Sequence, residues 1–275
     1  MFTSDNLALK FLAMDNFFQF YNIEPDAKRS DWVVERCCGP KHTLHTFLPS
    51  GFASNVRICH PGWYVDPLPP EDEEAWSALR AGWIDMKALT PVRWHDVAVA
   101  NNHTPHRLMQ WFQTCSSAIR EPGMAGVDSP LEGDLTKEMV ESLFEVLADH
   151  GGADQEVLCG FWEGFNRSDY RARASFESYH GQQHYLLFHS TLSQVRDAWL
   201  EAFEHVSSRH GIGTGGLAPN AVWPTTCDWY LAVPYNLRSS YLGGPVDLVS
   251  RIFSAANLET YEALPGDNIW INDLN

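Results

Sequence analysis

The chain has 275 residues and carries 19 Lys and Arg against 35 Asp and Glu, so its formal net charge is −16 at pH 7. Hydrophobic residues make up 44% of it, enough to build a core, which excludes an intrinsically disordered chain. An excess of negative charge on this scale repels nucleic acid and anionic membrane surfaces at long range and attracts basic partners.

The first part of the chain predicts several helices and two short strands. Dense apolar residues over 5–22 indicate a helix that packs on the body of the protein. Strands are expected at 43–47 and 55–59 around a turn. Further helices are expected to begin in the acidic run 71–74 and to span residues 94–100 and 104–112.

Residues 134–150 show the clearest helical pattern. Asp134 is expected to cap this helix, and Gly151 with Gly152 to end it. One face carries an apolar stripe formed by Leu135, Met139, Val140, Leu143, Phe144 and Leu147. The opposite face is expected to carry four carboxylates within reach of one another, those of Glu138, Glu141, Glu145 and Asp149.

The rest of the chain mixes strands and helices without βαβ alternation. Helices are expected at 192–210 and 245–255, and strands at 157–162, 184–189, 229–235 and 268–271. We therefore expect the α+β class, with an irregular mixed sheet of short strands packed with several helices. Since no long linker or repeat is present, residues 1–275 are expected to form a single domain, with a possible division near 120–133.

Cysteine usage and the N-terminus indicate the compartment. The six cysteines show no CxxC pair and no framework spacing, so we expect reduced thiols. The sequence shows neither the basic and apolar regions of a signal peptide nor an apolar run long enough to span a membrane. These features predict a cytoplasmic protein.

Two strings match known binding motifs, but the sequence around each argues against a binding site. The GxGxxG string at 211–216 follows a predicted helix and precedes Pro219, whereas a dinucleotide loop needs a strand before it and a helix after it. His180, His184 and His189 have only partial zinc spacing and fall on a predicted loop and strand. We expect no metal and no cofactor.

A speculative pocket is the alternative site suggested by the sequence. Polar side chains at the ends of predicted strands and helices can converge, and a histidine with a carboxylate would then perform acid–base chemistry. Hydrogen bonding that caps loops is the competing role for such residues. The residues of this pocket would be His60, Trp94, His106, Gln110, Trp162 and Glu163.

An ordered set of phrases resembles a family of uncharacterised actinobacterial proteins. The phrases are VRICHP at 56–61, VRW at 92–94, HRLMQW at 106–111, FWEGF at 161–165, YLLF at 185–188, WP at 223–224 and YLGG at 241–244. The resemblance covers roughly residues 55–260 and implies a shared fold, but it brings no established activity. It also implies that functional residues are found among four polar positions in these phrases and not at the His180 and His184 pair. The four positions are His60, His106, Gln110 and Glu163.

This chain departs from that family in two places. Members often have acids and an Arg after the Trp-Pro phrase, where this chain has Thr225, Thr226 and Cys227. They often have Asp where this chain has Asn236. If those acids perform chemistry in other members, this chain lacks it.

The densest charge lies between residues 121 and 165, where eleven acids accompany one base, Lys137. The leading hypothesis is a non-enzymatic protein that sequesters a basic protein partner through this acidic surface, as an immunity protein or antitoxin does. The alternative is a small-molecule hydrolase, a transferase or a ligand-binding protein that uses the His, Glu and Trp pocket. Convergence of His60, His106 and Glu163 would favour the alternative.

Overall fold

A nine-stranded antiparallel sheet organises the part of the chain that the computed structural model describes, residues 19–65, 89–115, 126–165, 172–178, 181–207 and 218–269. The strands of this part are β1 (Asn22–Ile23), β2 (Ser54–Cys59), β3 (Gly62–Val65), β4 (Leu89–Val92), β5 (Gly126–Asp128), β6 (Glu156–Trp162), β7 (Ala174–Ser178), β8 (Gln183–Thr191), β9 (Ala221–Pro224), β10 (Tyr230–Ala232), β11 (Ser239–Gly244) and β12 (Glu259–Glu262). Its α-helices are α1 (Asp31–Arg36), α2 (Trp94–Ala100), α3 (Trp111–Thr114), α4 (Lys137–Gly151), α5 (Leu192–Ser207) and α6 (Val246–Phe253). The α+β class expected from the sequence is confirmed.

The strand order of the main sheet is β1-β8-β6-β9-β10-β11-β2-β12, and β7 pairs with β8 beyond the end of β1. A second sheet has the order β4-β3-β5. The expected mixed sheet is antiparallel at every described pairing. Single-domain organisation stays a prediction.

Helices α4, α5 and α6 cover one face of the main sheet. Helix α4 packs against both α5 and α6. Its apolar stripe is buried as predicted, with Leu143 and Leu147 fully inaccessible, and it meets sheet residues such as Val56 and Leu242 in the largest core cluster. The predicted register of α4 is therefore confirmed.

The first turn of α4 differs from the expectation. Thr136, and not Asp134, is the capping residue, and its hydroxyl oxygen accepts a hydrogen bond from Met139 N at 3.4 Å. The Asp134 carboxylate is buried and accepts a hydrogen bond from Leu135 N. Gly152, at φ 92°, ends the helix as predicted because glycine adopts this backbone conformation without a side-chain clash.

The opposite face of the main sheet is covered by two clusters rich in aromatic residues. One brings Trp32 of α1 against Trp223 and Tyr230 of the sheet. The other packs Trp94 of α2 against Trp111 of α3, with ring centroids 5.7 Å apart. The second cluster lies over the end of β2 and positions the residues that surround His60.

Two predicted elements are wrong. Residues 43–47 form no strand: Leu44–Thr46 is a 3₁₀ turn, in which the Thr46 hydroxyl donates to the Thr43 carbonyl and so favours a local turn. The helix predicted at 104–112 is absent over 104–110, and α3 begins only at Trp111, because the carbonyls of Arg107 and Met109 accept from Arg57 instead of continuing a helix. The predicted elements at 5–22 and 71–74 fall largely or wholly outside the described residues, and Asn22–Ile23 is a strand.

Candidate functional site

His60 follows β2 and is almost fully buried, with a relative exposure of 1%. Its Nδ1 lies 2.7 Å from the carbonyl oxygen of Leu131, which only accepts, so Nδ1 carries the proton. Its Nε2 then accepts from the Ser240 hydroxyl at 2.8 Å. Burial lowers the pKa of His60 to about 4. Both ring nitrogens are occupied by the fold, so this histidine is a structural link between a loop and the sheet.

Trp94 and Arg57 complete the buried surroundings of His60. The Trp94 indole donates from Nε1 to the His60 carbonyl at 2.6 Å, and the Arg57 guanidinium lies 4.8 Å from the centroid of the Trp94 ring. Arg57 Nη1 donates to the carbonyls of Arg107 and Met109, and Nε donates to Ser239 Oγ. The sequence analysis did not predict this cluster. The feature that could have indicated it is Arg57, a charged residue between the apolar Val56 and Ile58 of β2.

Arg57 is a buried cation with an unusual set of partners. Its residue exposure is 4%, and no carboxylate of the described residues lies within ion-pair distance of it. Carbonyl acceptors and the Trp94 ring face therefore stabilise its charge. Because these acceptors belong to the loop at 107–109, Arg57 ties that loop to the main sheet.

His106 and Gln110 belong to the same loop, and their side chains form hydrogen bonds within it. His106 is exposed, and its Nδ1 accepts from Leu108 N at 3.3 Å. Gln110 is half-buried, and its side-chain amide lies 3.5 Å from the Leu108 carbonyl. Both side chains form hydrogen bonds within the loop. This is the loop-capping role that the sequence analysis gave as the competitor to acid–base chemistry.

Glu163 and Trp162 lie at the end of β6, far from His60. Strands β9, β10 and β11 separate β6 from β2, which corresponds to about 19 Å at the usual strand spacing. Trp162 stacks on Tyr235 with ring centroids 3.5 Å apart and planes 2° from parallel, and Glu163 is exposed. The structure therefore does not bring His60, His106 and Glu163 into one pocket.

The four carboxylates predicted for one face of α4 are all exposed: Glu138, Glu141, Glu145 and Asp149. Along the helix they span about 16 Å, at a rise of about 1.5 Å per residue. None of them forms an ion pair with a base in the described part of the chain. This surface, which we call the acidic face of α4, is a stripe of uncompensated negative charge.

Other acids between 121 and 165 have different environments. Glu132 pairs with Arg238 at 2.7 Å, and Glu156 pairs with Arg29 at 2.9 Å. Asp134 is buried below α4. Asp154 and Glu163 are also exposed and have no ion pair in the described part of the chain, but both lie outside α4, so the acidic face of α4 holds the largest group of unpaired acids among the described residues of this region.

The described residues contain no group of three or more His, Cys, Asp or Glu side chains that could hold a metal ion. His184 and His189 both lie on β8 and point to opposite faces of the sheet, because their positions differ by an odd number. The GxGxxG string at 211–216 and His180 lie outside the described residues.

No protein-family model, no curated protein and no solved structure matches the chain. The resemblance to the actinobacterial family stays a prediction from the sequence. In the part of the chain that is described, no helix has the length and apolar character needed to cross a membrane.

Proposed function

We propose that this chain is a non-enzymatic binding protein that sequesters a basic protein partner through the acidic face of α4, in the manner of an immunity protein or antitoxin. The observation that carries the proposal is the concentration of four exposed, unpaired carboxylates on one face of a single helix. Glu132 and Glu156 are each neutralised by an arginine, whereas the four carboxylates of α4 have no basic partner among the described residues.

The charge pattern on α4 is unfavourable in the free protein. Glu138, Glu141, Glu145 and Asp149 follow one another at spacings of three, four and four residues, so each neighbouring pair is a like-charge contact on the helix surface. A cationic partner would relieve this repulsion, and its approach would be accelerated by long-range attraction to the negative face.

The enzymatic alternative has less support. His60 uses both ring nitrogens for structural hydrogen bonds, and Glu163 lies beyond three intervening strands. General acid–base catalysis requires groups that reach a shared substrate. The dispersal of these side chains, together with an exposed acidic face, favours a protein partner over a reaction.

A cytoplasmic location belongs to the same proposal. All six cysteines are free, and Cys37, Cys59, Cys115 and Cys159 are buried. Free thiols in this number suit a reducing compartment.

The proposal is tested by capture from a native lysate at low and high salt. The baits are the wild type, the double reversal Glu141→Lys with Glu145→Lys, and a control reversal of Glu35→Lys with Glu262→Lys. Both control glutamates are exposed and lack an ion-pair partner among the described residues, so each double variant changes the net charge equally. A basic protein held at low salt by the wild type and the control, but not by the α4 reversal, supports the proposal. Equal capture by all three baits, or capture of no basic protein, contradicts it.

A further inference from the structure

A cleft of about 180 Å³ lies where four separate segments of the chain meet. Its walls come from the end of β2 with β4, from the first turn of α4, and from the connection between α6 and β12. It is smaller than the roughly 300–1,000 Å³ of pockets that hold drug-sized ligands, so it suits only a small molecule. Five of its lining residues are apolar: Pro61, Pro91, Val92, Met139 and Ala256.

The cleft also contains one cation and one anion that do not pair with each other. Arg93 donates from Nη2 to the Ala256 carbonyl at 3.0 Å and forms no ion pair with any described residue. Glu138, in the first turn of α4, likewise has no ion-pair partner in the described part of the chain. Opposite charges that line one small cleft without meeting leave room for a ligand that carries both complementary charges.

The third charged group in the cleft is already satisfied. The Glu259 carboxylate accepts hydrogen bonds from Trp94 N at 2.6 Å, from His95 N at 2.8 Å and from the Tyr261 hydroxyl at 3.0 Å. Its negative charge is thus stabilised by the backbone N–H groups at the start of α2. Arg93 and Glu138 remain as the charged groups available to a ligand.

We propose that this cleft binds a free α-amino acid with an apolar side chain. Arg93 binds the carboxylate, Glu138 binds the ammonium group, and the side chain lies against the surface of Pro61, Pro91 and Met139. A zwitterion has no net charge, so the negative field of the chain does not repel it as it repels an anion. The ligand site shares Glu138 with the acidic face of α4, but Glu141 and Glu145 do not line the cleft, so the reversal of those two glutamates leaves the proposed ligand contacts in place.

The neighbouring thiol indicates binding and not covalent chemistry. Cys59 lines the cleft, and burial raises the pKa of its thiol to about 12. A protonated thiol is a poor nucleophile at neutral pH. The ligand is therefore expected to bind and leave unchanged.

The test uses isothermal titration of the full chain with L-leucine, L-isoleucine, L-methionine and L-phenylalanine at millimolar concentrations. N-acetyl-L-leucine lacks the ammonium charge and L-leucinamide lacks the carboxylate, so each derivative removes one expected contact. The proposal predicts saturable binding of at least one free amino acid of this panel. It predicts binding about tenfold weaker for each derivative of the preferred amino acid, the scale of one lost charge-assisted hydrogen bond.

Two substitutions assign the two ends of the ligand. Glu138→Gln is expected to weaken binding of the free amino acid about tenfold and to abolish discrimination against the N-acetyl derivative. Arg93→Gln is expected to weaken binding of the free amino acid about tenfold and to abolish discrimination against the amide derivative. The matched controls Glu141→Gln and Arg196→Gln should bind as the wild type does. If a variant fails to fold by circular dichroism, the derivative series on the wild type decides alone. Absence of saturable binding for all four amino acids, or binding of either derivative as tightly as the free amino acid, overturns the proposal.

Discussion

Neutralising the centre of the acidic face should stabilise the protein. Glu141 lies three residues after Glu138 and four before Glu145, and Asp149 lies four residues further on. The double substitution Glu141→Gln with Glu145→Gln therefore removes all three like-charge pairs. Each such pair on a helix surface costs about 0.2–0.5 kcal/mol, so the free energy of unfolding should rise by about 1 kcal/mol at low ionic strength.

Urea unfolding at low salt and at 1 M salt measures this effect. The Debye length is about 3 Å at 1 M, shorter than the about 5–6 Å between neighbouring side chains on a helix, so the gain should largely disappear at high salt. The control Glu35→Gln with Glu262→Gln makes the same change in net charge away from α4. Equal stabilisation by both variants, or a gain that salt leaves unchanged, would refute the reasoning.

Three further predictions concern the core, the buried histidine and the thiols. Leu143→Ala should lower the free energy of unfolding by about 2–5 kcal/mol in urea titration, because Leu143 has an exposure of 0% in the core; a cost near zero would exclude this packing. The pKa of His60 is about 4 in the folded state, below its usual value of 6.5, so the unfolded chain takes up the proton first as the pH falls. Between pH 7.5 and pH 5 this histidine should cost about 2 kcal/mol of stability, a loss that is absent in His60→Gln and is measured by urea unfolding at both pH values. Thiol titration of denatured protein, prepared without oxidation, should count six free cysteines, and a count of four or fewer would contradict the reduced state.

Helix α4 shows which features a single sequence predicts well. Its apolar and acidic positions repeat at helical spacing, and Gly151 and Gly152 mark its C-terminal end, so local information was sufficient to place both faces and that end. Strand β11 shows the converse. Its residues include Ser239, Ser240 and two glycines, which have weak strand preference, and it is a strand because β10 and β2 pair with it on either side. Such pairing between distant segments is not visible in local periodicity.

The candidate pocket was less predictable than the fold for the same reason. His60 and Glu163 each follow a strand, as the sequence indicated, but the distance between them depends on the order of strands in the sheet. The role of Arg57 depends on carbonyls contributed by a loop about fifty residues later in the chain. The acidic face needed only one helix and its register, so it could be predicted.

The most direct test of the central claim is the association rate of the captured partner as a function of ionic strength. With the partner identified from the lysate, stopped-flow mixing should give a rate constant that falls steeply with salt for the wild type and for the Glu35→Lys, Glu262→Lys control. For the Glu141→Lys, Glu145→Lys reversal the rate constant should be lower at low salt and should fall less steeply with salt, with the fold intact by circular dichroism. The same rate and the same salt dependence in all three proteins would contradict a function for the acidic face of α4 and reduce it to a source of solubility.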